Sequence, residues 1–180
     1  LEDCQLRQLK QQVEVAQSRA KKEKTTETVE LAKRLAAQAN QTELEIFAAR
    51  VERNPGSTQA QFELGARLKR AGKYREAIQA FQAARSDNRR LAEAQLQLGE
   101  CFQQIEQYRL AMSSYEAAVG AAADPQSDLH KLARYRAGVL AMGLKEFDKA
   151  EKHLTELAGV DFGYRDVADR LDKLAQNRNT

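Results

Sequence analysis

The fold is decided by the stretch LGARLKRAGKYREAIQAFQAA, residues 64–84, which recurs 34 residues later, at 98–118, as LGECFQQIEQYRLAMSSYEAA. In both copies a tyrosine, an alanine, an aromatic residue and a second alanine follow the Leu-Gly pair at the same intervals. An internal repeat of this length is typical of stacked helical hairpins, each of which contributes two antiparallel helices. The sequence therefore predicts an all-α fold.

A third copy fits the same pattern after an insertion of five residues near 124–127. In every copy a glycine of the first helix precedes an alanine of the second helix by 12 residues. Glycine in a helix costs ~1 kcal/mol relative to alanine, so its recurrence requires a packing reason. We expect each glycine to face that alanine, and the large residue four positions later to reach the next repeat. The three sets are Gly65/Ala77/Phe81, Gly99/Ala111/Tyr115 and Gly138/Ala150/Leu154.

This pattern resembles the tetratricopeptide repeat, with Leu-Gly in the first helix, Gly72-x-Tyr74 at the turn, and Ala, Phe and Ala in the second helix. The resemblance implies a right-handed α-solenoid of helical hairpins. Its repeats would cover about 58–91, 92–130 and 131–160. A capping helix at about 163–176 would close the last hairpin, because Val167, Leu171 and Leu174 form one apolar face on an otherwise charged segment.

Residues 1–54 are predicted to be a helical extension, followed by the repeat domain at 55–180. One apolar stripe runs from Leu6 to Ala20 at helical spacing, and a second helix is expected from Thr26, as its cap, to about Arg53, where Asn54-Pro55-Gly56 ends it. We expect Phe47 and Val51 to pack on the first repeat. Because neither stripe forms a strong Leu/Ile seam, a packed helical pair is favoured over a long parallel coiled coil, although pairing with a second copy stays open.

Composition excludes several classes of protein. No stretch of the 180 residues approaches the ~20 apolar residues of a membrane span. A Gly-rich phosphate loop, an HExxH or GxSxG motif and a Cys/His ligand cluster are all missing, which predicts a protein without catalytic residues, metal or cofactor. Cys101 is expected to be a buried free thiol. The chain starts at Leu1 rather than Met, so we expect a truncated N-terminus; localisation stays open, with the cytoplasm as the first candidate.

Proteins of the resembled family bind peptides in the concave groove that their first helices line. Matching positions one by one implies a groove here with apolar members Phe62, Leu96, Leu132 and Tyr135, each expected to be partly exposed. The Lys69-Arg70 pair would favour an acidic segment. At the five positions that the chaperone-tail-binding subfamily uses as a carboxylate clamp, only Arg136 fits. The implied groove residues are Gln59, Phe62, Lys69, Arg70, Leu96, Glu100, Gln103, Gln104, Leu132, Tyr135 and Val139.

Three functional hypotheses follow. The first is a scaffold that binds a peptide or helical segment of another protein in this groove. The second is an assembly module in which residues 1–54 pair with a second copy. The third is anion or nucleic-acid binding by residues 50–90, which carry ten basic against four acidic side chains. Nucleic acid is disfavoured, because Tyr74 is the one tyrosine among those bases and base stacking needs exposed aromatic residues.

Overall fold

A computed structural model describes the backbone of residues 2–178 and the side chains of residues 2–176. This part of the chain contains nine α-helices and no strand. None of these helices combines the length and the apolar character needed to cross a membrane. The helices are α1 (Glu2–Glu23), α2 (Thr26–Arg53), α3 (Thr58–Arg70), α4 (Tyr74–Ala84), α5 (Leu91–Gln104), α6 (Tyr108–Ala121), α7 (Asp128–Gly143), α8 (Phe147–Val160) and α9 (Val167–Arg178).

Hydroxyl side chains cap three helices at their N-termini, where backbone N–H groups have no partner within the helix. Thr25 accepts a hydrogen bond from the Thr28 amide, and Ser57 accepts one from Ala60. Ser127 does the same for His130 at the start of α7. The predicted cap Thr26 is therefore wrong by one residue, because Thr26 already lies inside α2.

The turn inside each repeat uses a left-handed residue, which satisfies the last carbonyls of the first helix. Gly72 has φ +76°, and Glu106 and Lys145 at the equivalent positions both have φ +60°. The residue after each of them donates its amide to a carbonyl five positions back, as Gln107 does to Phe102 at 2.9 Å. The glycine that the repeat pattern has here is thus replaced twice without a change of turn geometry.

Residues 2–80 form one compact unit, in which α1 packs along α2 and α2 packs on α3. The predicted unbroken helix over 26–53 is confirmed, and it ends at Asn54. Phe47 is buried and lies against α3, since the Arg67 guanidinium is 4.7 Å from the centre of its ring. Val51 is only half-buried.

Residues 81–178 form a second compact unit, and α4 spans the boundary between the two. Here α5 pairs with α6 and α7 with α8, while α9 packs on α8. A Cβ atom at Gly99 would lie 2.4 Å from the Tyr115 ring, and one at Gly138 would lie 2.8 Å from Leu154. In each of these hairpins the large residue, Tyr115 or Leu154, therefore packs on the glycine of the same hairpin. The sequence pattern predicted that the alanine would face the glycine and that the large residue would reach the next repeat.

The predicted start of the capping helix is wrong. Helix α8 ends at Val160. The capping helix begins at Val167, a few residues later than predicted, and its stripe Val167, Leu171 and Leu174 does join the core. The division into an extension over 1–54 and a repeat domain over 55–180 stays a prediction.

Candidate binding groove

A groove runs between α1 and α3 in the first compact unit, and α2 forms its floor. It consists of two clefts of about 530 and 410 Å³, and both are lined by Lys10 and Arg67, so they lie end to end. The α1 wall presents alternating charged, polar and apolar side chains, and the α3 wall is mainly polar. The lining from α1 includes Lys10, Val13, Glu14 and Gln17; that from α3 includes Gln59, Glu63, Arg67 and Arg70; that from α2 includes Ala36, Ala39, Glu43 and Phe47.

A buried ion cluster fixes α3 against the floor of this groove. The Arg67 guanidinium donates to Glu43 at 2.8 Å and also to Glu63, and all three side chains are largely withdrawn from water. Asn40 donates to the Arg67 carbonyl oxygen at 3.4 Å. Because a buried carboxylate is costly unless it is paired, Glu43 and Arg67 hold each other in place and set the spacing of the helices.

One end of the groove is cationic. Arg50 and Arg53 on the last turns of α2 reach toward the start of α1, where Arg50 pairs with Glu2 and Asp3 and Arg53 pairs with Glu2. The hydrogen bonds from Arg50 hold the pKa of the Glu2 and Asp3 carboxyl groups below their ordinary values. The same carboxylates raise the pKa of Arg50. All four side chains stay partly accessible to solvent.

The groove contains part of the predicted site. Gln59 and Arg70 line it and are exposed, as expected. Phe62 retains only 7% of its exposure, and neither Phe62 nor Lys69 is among the residues that line the two clefts. The expectation that Phe62 is partly exposed is therefore wrong, because its side chain is already covered by the protein.

The predicted apolar groove residues of the second unit are mostly core residues. Leu96 and Tyr135 retain 4% and 8% of their exposure, whereas Leu132 and Val139 are half-buried. Tyr135 makes an edge-on contact with Tyr164, and its hydroxyl donates to Asp166 at 2.7 Å. The segment that leads into α9 thus covers Tyr135, and the prediction of a partly exposed Leu96 and Tyr135 is wrong.

The polar members of the second set are engaged within the protein. Glu100 lies 3.3 Å from Arg136, and Gln103 accepts a hydrogen bond from the Tyr115 hydroxyl at 2.8 Å. Gln104 is exposed. Because Arg136 is the one residue that matched the carboxylate clamp, its ion pair with Glu100 argues further against that mode of binding in this unit.

Sequence reasoning missed the α1 wall and the two arginines at the end of α2. The signal was present, because Lys10, Glu14 and Gln17 recur at helical spacing and define a polar face beside the buried stripe of α1. The repeat pattern does not extend to α1, so it gives no indication that α1 forms a wall of the groove. Arg50 and Arg53 had been counted only as part of a basic region.

The opposite flank of the α1–α2 pair carries a third cleft of about 730 Å³. Val15 at its edge is 63% exposed, a high value for an aliphatic side chain, and Leu31 and Leu35 lie beside it. Glutamines and Arg19 form the rest of the lining. This flank is a second surface on which another molecule could pack.

Neither cysteine belongs to a ligand cluster. Cys101 is buried and takes part in no disulfide, as predicted, and Cys4 is exposed. Over the described residues, no group of His, Cys, Asp and Glu side chains is arranged to hold a metal ion.

Comparison with known proteins identifies the fold. Residues 92–125 match the family model for the tetratricopeptide repeat. The chain is similar to the crystal structure of MamA, with a TM-score of 0.70 and 16% identity over 82% of this chain and 84% of that one. It is also similar to MamA 41-end from Desulfovibrio magneticus RS-1, with a TM-score of 0.66 and 19% identity over 81% of this chain and 83% of that one.

A third similar structure is the first tetratricopeptide repeat domain of Spaghetti (RPAP3) bound to the HSP90 peptide SRMEEVD. The TM-score is 0.58, with 17% identity over 68% of this chain and 96% of that one. No curated protein has significant sequence similarity to the chain. The structural likenesses confirm the predicted all-α fold of helical hairpins.

Proposed function

We propose that this tetratricopeptide repeat protein is a non-catalytic scaffold that binds an extended or helical segment of another protein in the groove between α1 and α3. The observation that carries the proposal is the groove itself, whose α3 wall is fixed on the α2 floor before any partner binds. The buried Glu43–Arg67 pair holds these two helices together, and a preformed binding surface lowers the entropy cost of binding.

The chemistry of the groove supports a peptide-like ligand. Ala36 and Ala39 give the floor a small apolar surface, and exposed side chains of both signs line the walls, among them Lys10, Glu14 and Arg70. A groove of this kind can accept apolar side chains below and hydrogen bonds from the sides. The RPAP3 domain of similar fold is bound to a peptide, which is in keeping with this proposal.

Site-specific photo-crosslinking tests the proposal. A photoreactive amino acid is placed at Gln17, in the groove, or at Lys22, on another face of the same helix, and the protein is irradiated in extracts of its source cells. We expect discrete adducts from position 17 and not from position 22. The variant Lys10→Glu/Arg70→Glu should lose those adducts, since it reverses a charge on each wall.

The matched control is Lys22→Glu/Arg34→Glu, which makes the same change in net charge at exposed positions away from the groove. It should keep the adducts. If both double variants give the adduct pattern of the parent, the groove is not the binding site.

A second candidate function is self-assembly through the opposite flank of the α1–α2 pair. The exposed Val15 beside Leu31 and Leu35 favours it, because a partner that packs on this apolar patch would remove it from water. Sedimentation of the parent and of Val15→Glu decides this case. A parent that is monomeric at all concentrations tested would rule out assembly through this surface.

The third hypothesis, anion binding by residues 50–90, has less support. Arg50, Arg53 and Arg67 each pair with carboxylates of the same chain, which reduces the local excess of positive charge. Tyr74 is half-buried and thus offers little surface for stacking.

A further inference from the structure

At the end of the groove that contains Arg50 and Arg53, two guanidinium groups lie over one aromatic ring, that of Phe47. The Arg50 guanidinium lies 4.9 Å from the centre of the Phe47 ring, and that of Arg67 lies 4.7 Å from it. A cation held over an aromatic face keeps a defined position without needing an anion. Arg50 is therefore oriented toward the cleft by Phe47, and Arg53 follows it by one helical turn.

Two neighbouring carboxylates of the chain itself occupy this end. Arg50 Nε lies 3.0 Å from Glu2, and the terminal nitrogens of Arg50 and Arg53 lie 2.6 Å from Asp3 and Glu2 respectively. Without these two acids, the same end of the cleft would present Arg50, Arg53 and Lys10. The Glu2-Asp3 pair thus shows that these arginines can bind two adjacent carboxylates.

The first turn of α1 is held weakly enough to be exchanged. The Asp3 side chain is 74% exposed, and exposed ion pairs contribute little to stability. The first buried apolar anchor of α1 is Leu6, one turn further along, and Ala16 follows. The two acids can therefore leave the arginines while the rest of α1 stays packed on α2.

We propose that the Arg50–Arg53 end of the groove is a receptor for two adjacent carboxylates of an acidic partner segment, and that Glu2 and Asp3 occupy it as an internal competitor. This inference rests on the proposed function and specifies its ligand: a peptide segment with paired acidic residues. A partner segment displaces the first turn of α1. Its apparent affinity is the intrinsic affinity of the arginines for the segment, multiplied by the fraction of time that Glu2 and Asp3 leave the site open.

Titration of a fluorescent ten-residue peptide with a central Glu-Asp pair tests the inference, with a Gln-Asn version as the uncharged probe. The acidic peptide should bind roughly three- to tenfold more tightly to Glu2→Gln/Asp3→Asn than to the parent, because the two carboxylates no longer compete for the arginines. The Gln-Asn peptide should gain nothing. The variant Arg50→Gln/Arg53→Gln should lose the preference for the acidic peptide.

The matched control is Glu45→Gln/Glu52→Gln, which removes two exposed carboxylates of α2 and leaves the receptor intact. An equal gain in this control would mean that net charge alone acts, and the inference would be wrong. Equal affinity of the parent and Glu2→Gln/Asp3→Asn for the acidic peptide, with unchanged helicity in both, would also overturn it.

Hydrogen exchange of the parent provides a readout that needs no variant. Saturation with the acidic peptide should increase exchange of the first hydrogen-bonded amides of α1, at about Leu6 and Arg7, and leave those near Ala16 unchanged. Unchanged or slower exchange there would contradict displacement. The crosslinking experiment separates the two proposals: groove adducts that are insensitive to Glu2 and Asp3 would retain the proposed function and reject this inference.

Discussion

Replacing Gly99 by alanine should destabilise the protein, although the same change in an open helix is stabilising. The new Cβ would lie 2.4 Å from Cε1 of Tyr115, whereas ordinary contacts begin at 3.4 Å, so the ring must retreat by about 1 Å. Tyr115 is fully buried, and its hydroxyl is held by Gln103 at 2.8 Å. The ring therefore cannot move without disturbing the core or that hydrogen bond.

The magnitude follows from three contributions. Overpacking of a buried site costs ~1–3 kcal/mol, and weakening of the Tyr115 hydrogen bond adds ~0.5–1.5 kcal/mol. The better helix propensity of alanine returns ~1 kcal/mol. The net loss in the free energy of unfolding should be about 1–3 kcal/mol, which corresponds to a fall in Tm of roughly 3–10 °C for a chain of this size.

Thermal and urea unfolding, followed by circular dichroism, measure the effect, with Gly120→Ala as the control. Gly120 lies near the end of α6, and a Cβ there meets no atom within 4 Å, so the control should gain ~0.5–1 kcal/mol. If Gly99→Ala is as stable as Gly120→Ala, the assigned contact between Gly99 and Tyr115 is wrong.

Three further predictions concern the turns, the ion cluster and pH. Glu106→Gly should raise the free energy of unfolding by ~0.5–1 kcal/mol in urea titrations, because Glu106 has a left-handed backbone that favours glycine; no gain would contradict that conformation. Arg67→Ala should cost up to ~3–5 kcal/mol in the same assay, since it leaves the buried Glu43 with only the exposed Arg70, 3.7 Å away, as an ionic partner. Arg50 lowers the folded-state pKa of Glu2 below 4.5 and of Asp3 below 3.8, so their ion pairs stabilise the first turn of α1 above those values. The protection factors of the Leu6 and Arg7 amides, which correct for the intrinsic pH dependence of exchange, should therefore decrease as the pH falls through the lowered values, and stay constant between pH 6 and 8.

The sequence alone predicts the elements of this fold with good accuracy, because their ends depend on neighbouring residues. Ser57 begins a helix by capping it, and Asn54-Pro55 ends one since proline disfavours the helical conformation of the residue before it. The period of the repeat then specifies which helices form hairpins. Even the turn at Glu106, which lacks the expected glycine, lies 34 residues after Gly72, as the period of the repeat requires.

Only the tertiary structure decides which side chains remain available to a partner. Helical periodicity marks Phe62 and Tyr135 as apolar positions, but it does not tell which neighbour covers them, and both are buried. The groove wall supplied by α1, and the meeting of Glu2 with Arg50 across 48 residues of sequence, follow from how distant helices pack. A local pattern specifies the apolar face of each helix, whereas exposure depends on the surfaces of all the helices that pack against it.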